Sequence, residues 1–420
     1  MKKIYGLPTV GLVFLALTWW AWHQIAPVRE QSAFVWRMPL DLAIYLKGGA
    51  EVAQGQPLYD GPLIFDLPFT YPPFAGVVFA GLDPLSDNAT MALWHGATFL
   101  ALFAVVALAL RERGLRLGVL GILVFLVFTL TTVNLEPIHG TAYYGQINVF
   151  LMFLVALDFL PRKFRLAGIG TGLAAGLKLT PAYMGLIFVI QRRWWHAVIC
   201  VLTFLTTVVV GLAVVGDGMR FWTESMFESS RVGAHTNPGA QALRSVLERA
   251  FGVAGGPVWL GVIVAVFALT CAAVFLASRS GNNTLALAFT GLSSCLVSPF
   301  SWYHHFVWVV PLGIGFFAWI NQTLGRKWRG TVLREQVVGL VSVAGLCLIL
   351  APFVGQRSFP WFAYRTLDGL EATWPALVFS CSPIVFMLVY VIYRLIPRTP
   401  VDEGPDTQDL PVVTGRHRAA

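Results

Sequence analysis

Leu7-Pro-Thr-Val-Gly-Leu-Val-Phe-Leu-Ala-Leu-Thr-Trp-Trp-Ala-Trp-His-Gln-Ile25, directly behind Met1-Lys2-Lys3, decides what kind of molecule follows. The run is long enough to cross the hydrocarbon core of a bilayer as a helix. No small-residue cleavage site precedes the polar stretch beyond it, so it reads as an uncleaved anchor with the N-terminus in the cytoplasm. Composition agrees, because 57% of the 420 residues are hydrophobic, 12% are charged and mean hydropathy is +0.70. A soluble core cannot hide that much apolar surface, and the expected class is an all-α, polytopic integral membrane protein.

Further runs of spanning length lie at about 88–110, 117–133, 146–160, 195–216, 256–278, 284–298, 304–320, 336–352 and 374–394. The segment 166–190 differs, since both flanks are basic and its middle carries Gly170, Gly172, Gly176, Lys178 and Pro181. Two short or broken helices forming a hairpin account for it. In this layout 19 of the 29 Lys and Arg residues fall inside, 9 outside and Lys178 within the hairpin. That bias predicts an N-in, C-in chain of about 12 membrane helices, counting the hairpin as two. The net charge of +8 then reports orientation and anionic headgroups, and no nucleic-acid partner is expected. A single membrane body over 1–398 and a disordered cytoplasmic tail over 399–420 complete the expected organisation. The five cysteines sit in apolar runs without paired spacing and read as packing residues.

Three long outer loops are expected, at about 27–70, 217–255 and 353–373. The first carries an amphipathic stretch with Leu40, Ile44, Tyr45, Gly48 and Val52, which would lay a short helix along the interface with Asp41 near its start. A carboxylate there sits at the outer mouth of the membrane body, placed to act as a base toward something held in lipid. The competing reading is that Asp41 caps that helix. The run 75–82 is expected to dip into the interface without crossing. Asn134 to Asn148, Asn237 to Arg244 and Ser298-Pro-Phe-Ser-Trp-Tyr-His-His305 bring amides, hydroxyls, aromatics and imidazoles to the same side. Together they suggest a polar cup rimmed by aromatic rings, which suits a sugar.

Asp41-Leu-Ala-Ile-Tyr, Tyr71-Pro-Pro-Phe, Gly145-Gln-Ile-Asn148, Gly176-Leu-Lys-Leu-Thr-Pro181, Asn237 with Gln241, and Ser298 to His305, in this order from about residue 38 to about 310, resemble glycosyltransferase family 87. That resemblance implies a GT-C fold and a mannosyltransferase of actinobacterial envelope assembly that takes mannose from a polyprenyl-phosphate carrier. The implied acceptor is a phosphatidylinositol mannoside or related lipoglycan, with an α-1,2 linkage. The implied location is the cytoplasmic membrane with the active site outside. By the same resemblance Asp41 corresponds to the family's catalytic acidic residue on the first outer loop, and the His304-His305 pair lies at its active site, with His305 favoured. Asn237-Pro-Gly-Ala-Gln-Ala departs from the compact Asn-Gln-Ser pattern of relatives.

The chemistry asks for a base on one face of the anomeric carbon and cations or donors for the departing phosphate on the other. Asp41 is the base candidate, and one-step displacement would invert a β-linked donor. An intramembrane lysine is a functional hypothesis by default, so Lys178 is the leading phosphate ligand if the hairpin tip reaches the outer half; otherwise it snorkels inward. Arg244 is a further candidate, with Arg231, Arg357 and Lys47 as outer-face cations. Tyr71, Trp302, Gln146, Asn148, Asn237, Gln241 and Glu136 are candidates for the sugars, each set against an ordinary interfacial or loop role; Tyr45, Tyr59 and Trp361 share the stacking reading. Adjacent histidines point apart and no carboxylate pair accompanies them, so no metal or other cofactor is expected. The rival readings are another prenyl-linked sugar, arabinose or glucose, and a transporter or lipid flippase. The latter class tends to show internal repeats and midplane acids. The oligomeric state is left open.

Overall fold

The computed structural model describes residues 3–29, 38–115, 118–161, 167–253, 255–327, 330–354 and 373–396. The expected tail from 399 and nearly all of the outer loop 353–373, with Arg357 and Trp361, lie outside these residues. In chain order the helices are α1 (Leu7–Arg29), α2 (Leu40–Ala53), α3 (Pro73–Ala80), α4 (Asp87–Glu112), α5 (Val119–Thr131), α6 (Glu136–Tyr144), α7 (Asn148–Phe159), α8 (Ile169–Leu177), α9 (Gly185–Ile190), α10 (Trp194–Val214), α11 (Met219–Thr223), α12 (Leu243–Phe251), α13 (Gly256–Arg279), α14 (Asn283–Val297), α15 (Val309–Lys327), α16 (Val332–Leu350) and α17 (Thr373–Leu395). One short antiparallel hairpin, β1 (Pro62–Ile64) and β2 (Leu67–Pro68), departs from the all-helical expectation. Its turn is closed by Phe65 at a φ of 51°.

Among the described residues five helices are long and apolar enough to cross a membrane, or six when α6 and α7, bent by 118° at their junction, count as one. The protein is a multi-pass helical membrane protein. Several of the expected spans are shorter helices. The clearest is α14, where thirteen of fifteen residues are buried, enclosed by α13, α15 and α17. A helix covered on all sides by protein does not need the full bilayer length to hide its backbone. The stretches expected at the interface form α2 and α3, and α3 packs on α2.

The region 166–190 forms two short helices, α8 and α9, as expected, but the glycines play a different part. Gly170, Gly172 and Gly176 do not break the segment, because α8 runs through all three. They allow close approach instead. A Cβ at Gly170 would fall 2.1 Å from the Leu154 carbonyl oxygen on α7, and one at Gly172 would fall 2.6 Å from the Cys200 carbonyl oxygen on α10. Small residues at such crossings let helix backbones meet. The break comes at Lys178, which is extended at φ −154° and ψ 132°, ahead of the 3₁₀ turn Thr180–Met184.

The start of α8 is held by Asp158 near the end of α7. Its carboxylate accepts from the backbone N–H of Gly170 at 3.2 Å and of Thr171 at 2.7 Å, and from the Thr171 hydroxyl at 2.7 Å. This satisfies helix-start donors that Gly168, the residue before α8, cannot serve. α7 and α8 therefore run antiparallel, and the end of α8 returns to the start of α7. Gly170→Ala, which presses a methyl group against a carbonyl that cannot rotate away, is expected to cost about 1–3 kcal/mol. A lowered thermal midpoint in detergent would show it, with Gly185→Ala, where a Cβ meets nothing within 4 Å, left unchanged.

Candidate active site

Asp41 lies in the first turn of α2, but Pro39 is the N-cap and makes no side-chain cap. The carboxylate does not serve the helix, contrary to the capping alternative. It faces the turn between α6 and α7, where Gly145 ends α6 in the left-handed region at φ 68°. A Cβ at Gly145 would lie 2.7 Å from the Leu42 Cβ and 2.9 Å from the Pro39 Cβ. Glycine is thus needed twice, for its conformation and for the close approach. The approach delivers Gln146, whose Nε2 donates to Asp41 Oδ2 at 2.5 Å.

Behind the amide stand two phenols. The Tyr45 and Tyr71 hydroxyls each lie 3.0 Å from Gln146 Oε1 and are hydrogen-bonded to each other at 2.6 Å, so one donates to its neighbour and the other to the amide oxygen. Tyr45 follows Asp41 by four residues, one helical turn, and its ring stacks on Phe79 at 4.5 Å between centroids. Tyr59 donates to the Tyr71 carbonyl at 2.8 Å. Asp217 in turn holds the Leu58 and Tyr59 backbone N–H groups at 2.9 and 2.6 Å.

The cation comes from the extended residue after α8. Lys178 Nζ donates to Asn148 Oδ1 at 3.1 Å, lies 3.1 Å from His305 Nε2, and sits 5.3 Å from the Tyr71 ring centre. Asn148 is oriented because its Nδ2 donates to the His304 carbonyl at 2.9 Å. His305 is held from its other ring nitrogen, which is 3.0 Å from the Ser301 hydroxyl and accepts from the Trp302 N–H at 3.2 Å. Lys178 therefore shares a cavity with Asp41.

Asp41, Tyr71, Gln146, Lys178, Trp302 and His305 line one cavity of about 520 Å³. Other candidates stand outside its lining. Asn148 lies behind Lys178. The His304 ring packs among Tyr144, Trp302 and Tyr303, while its carbonyl serves Asn148 and Thr141. Asn237 accepts from the Gly239 N–H at 2.8 Å, closing a turn. Gln241 is fully buried; its backbone N–H donates to the Ser301 carbonyl at 2.7 Å, and its side chain bonds Pro238 and Ser380. These two hold the Ser301–His305 strap in place. Arg244, in the first turn of α12, and the buried Glu136, at the start of α6, do not reach the cavity. Lys47 is an exposed cation paired with Glu51 at 2.5 Å.

Some lining residues carry little signal in the sequence. Phe221, Met226 and Phe300 supply an apolar wall, and Arg231 reaches the same space. Ser301 was legible in principle, being four residues before His305 in one motif. The Tyr45 ring is buried against Phe79 and its hydroxyl meets Tyr71 and Gln146. Among the described residues, no three of His, Cys, Asp and Glu gather as metal ligands would.

Burial raises the Asp41 carboxyl to about 6, against the opposing pulls of the Gln146 hydrogen bond and the Lys178 charge. An acid at that value is largely ionised at neutral pH yet retains appreciable basicity, which suits proton abstraction.

A multi-pass helical membrane protein with a raised carboxyl and an amine facing one cavity has the parts of a lipid-linked transferase, and comparison with known proteins agrees. The family model described as glycosyltransferase family 87 matches residues 69–299. The chain is 33% identical to a polyprenol-phosphate-mannose-dependent alpha-(1-2)-phosphatidylinositol pentamannoside mannosyltransferase of Mycobacterium tuberculosis, over 84% of this chain and 82% of the relative. It is 34% identical to a protein of the same description from Mycolicibacterium smegmatis, over 88% and 90%. A polyprenol-phosphate-mannose-dependent alpha-(1-2)-phosphatidylinositol mannoside mannosyltransferase of M. tuberculosis is 30% identical over 87% and 88%. No solved structure matches. The chain belongs to glycosyltransferase family 87 and is a glycosyltransferase. The span matched by the family model begins after Asp41.

If Asp41 accepts a proton, its ionised form is the active one. Activity, read as kcat/KM, should rise through about pH 6 and level off above it. The same raised value means that the folded protein binds a proton more readily than the unfolded chain, so ionised Asp41 is a cost to the fold above that pH. Asp41→Asn is accordingly expected to keep or raise the thermal midpoint at pH 7.5 while activity is lost. A variant that melts lower would contradict this.

Proposed function

We propose that this protein transfers mannose from polyprenyl-phosphate mannose to a hydroxyl of a phosphatidylinositol mannoside, forming an α-1,2 linkage with inversion. The observation that carries the reading is the placement of Asp41 and Lys178 on one cavity in a chain of this family, with about 520 Å³ between the walls. The relatives' descriptions supply the donor, the acceptor class and the linkage.

Asp41 takes the proton of the acceptor hydroxyl as its oxygen bonds to the anomeric carbon. The bond from that carbon to the phosphate oxygen breaks, its electron pair stays with the phosphate, and polyprenyl phosphate leaves. Displacement from the face opposite a β-linked phosphate gives the α-mannoside. Lys178 and His305 meet the phosphate, where charge develops and where charge-assisted hydrogen bonds are strongest. Tyr71 and Trp302 offer ring faces to the sugars. This chemistry needs no metal ion. Asn148 sets Lys178, and the loop around Asn237 and Gln241 supports His305. We place the reaction on the extracytoplasmic side of the plasma membrane, in one catalytic body over 1–398 with about 12 crossings, a layout supported by the inward bias of basic residues.

Purified protein given radiolabelled polyprenyl-phosphate mannose and phosphatidylinositol mannosides should yield labelled glycolipid, undiminished by chelator. Asp41→Asn should lower kcat by about 10²–10⁴-fold; full turnover in that variant would remove Asp41 from the base role. Lys178→Gln should raise KM for the donor by roughly tenfold or more, with a smaller change for the acceptor.

A further inference from the structure

We infer that Gln146 acts on Asp41 rather than on the sugar: a tyrosine-clamped amide commits one carboxylate oxygen and leaves the other for the acceptor hydroxyl. The inference rests on the reading of Asp41 as base and assigns a positioning role to a residue that the motif alone would place among substrate ligands.

The argument is one of donors and acceptors. A glutamine amide has an oxygen that only accepts and a nitrogen that only donates. Tyr45 and Tyr71 both reach the same amide oxygen at 3.0 Å. The hydroxyl oxygens are also 2.6 Å from each other, so one phenol donates to the other and that one donates to the amide oxygen. Turning the amide over would set its oxygen against an ionised carboxylate at the 2.5 Å now occupied by a hydrogen bond. Two oxygens without a proton between them repel at that distance. The ionised acid therefore selects this orientation and the phenols fit it, so one N–H of Gln146 is committed to the base. Asp41 Oδ2 is occupied, and Oδ1 is the oxygen left to take the proton.

The clamp is itself rigid. Tyr45 is buried and stacked on Phe79, Tyr71 is buried and anchored through Tyr59, and Gln146 follows Gly145, whose position a side chain could not occupy. The groups facing Asp41 are Tyr45 on its own helix, Tyr71 ahead of α3, Gln146 ahead of α7 and Lys178 after α8, with His305, Glu228 and Arg231 on the farther cavity walls. The Gln146 hydrogen bond and the Lys178 charge both favour the ionised acid. Removing the first while leaving the second isolates the contribution of the amide.

The test is the pH profile of mannosyl transfer by the full-length protein in detergent or nanodiscs, with donor and acceptor varied separately. Gln146→Met keeps the shape and loses the donor, and the acid limb of kcat/KM should move upward by about one pH unit. KM for both substrates should stay within about twofold, because no substrate contact is removed. Gln146→Glu still accepts from the phenol pair and sets a like charge against Asp41, so its limb should move further in the same direction. Only variants with a wild-type thermal melt are compared, and either one alone decides. A limb that stays at the wild-type position while KM rises would make Gln146 a sugar ligand and overturn the inference, leaving Asp41 untouched. Asp41→Asn, run alongside, tests the base reading separately: if it turns over normally, both fall.

Discussion

Charge inside an apolar body has to be compensated where it stands. Lys178 sits in a segment surrounded by hydrophobic helices, and a lysine at such depth costs roughly 2.5–3.5 kcal/mol on insertion scales. The cost is offset by Asn148, His305 and the face of Tyr71 on one side, and by the charge of Asp41 across the cavity. Each of those partners must in turn be held. Asn148 is fixed by the His304 carbonyl, His305 by Ser301 and the Trp302 N–H, and the strap carrying them by the backbone of Gly239 and Gln241. Much of the ordered structure on this side of the molecule serves to keep a few polar atoms in register.

The helices supply that register through close contacts. α7 and α8 form an antiparallel pair pinned at both ends, by Asp158 on the start of α8 and by Asn148 on the residue that follows it. The glycines of α8 let it settle against α7 and α10 with no side chain between. On the other flank, the Gly145 turn presses on the start of α2. Cation and acid thus belong to different helices, and the α6–α7 turn and the start of α7 place an amide beside each. A shift of that junction would misplace both.

The membrane class was legible from apolar length alone, and so were α2, α3 and the position of Asp41 at the head of an amphipathic helix. The motifs were legible as a set. Their division of labour was not, because residues spaced alike in sequence diverge in space. His304 and His305 are neighbours, yet one ring joins an aromatic cluster and the other faces the cavity. Gly170, Gly172 and Gly176 read as helix breakers, since intrinsic propensity says nothing of what packs opposite. The number of spans is not settled by apolar length for a related reason: the described residues hold five helices of spanning length, or six with the bent pair, beside shorter apolar ones. An apolar run reports burial, and burial in protein looks the same in sequence as burial in lipid.

The contrast between Asp41 and Asp158 says most about how the fold separates structure from reactivity. Both are aspartates in helical settings of an apolar protein. Asp158 receives two backbone N–H groups and a hydroxyl from the start of a neighbouring helix, so its lone pairs are spent on holding that helix. Asp41 receives one amide and opens onto a cavity, and burial pushes its carboxyl up to about 6. Every donor that a carboxylate receives stabilises its ionised form and occupies a lone pair. Under-satisfaction costs the fold some stability and leaves a lone pair that can still bind a proton. The second donor that Asp41 lacks, on this account, is the hydroxyl it is there to deprotonate.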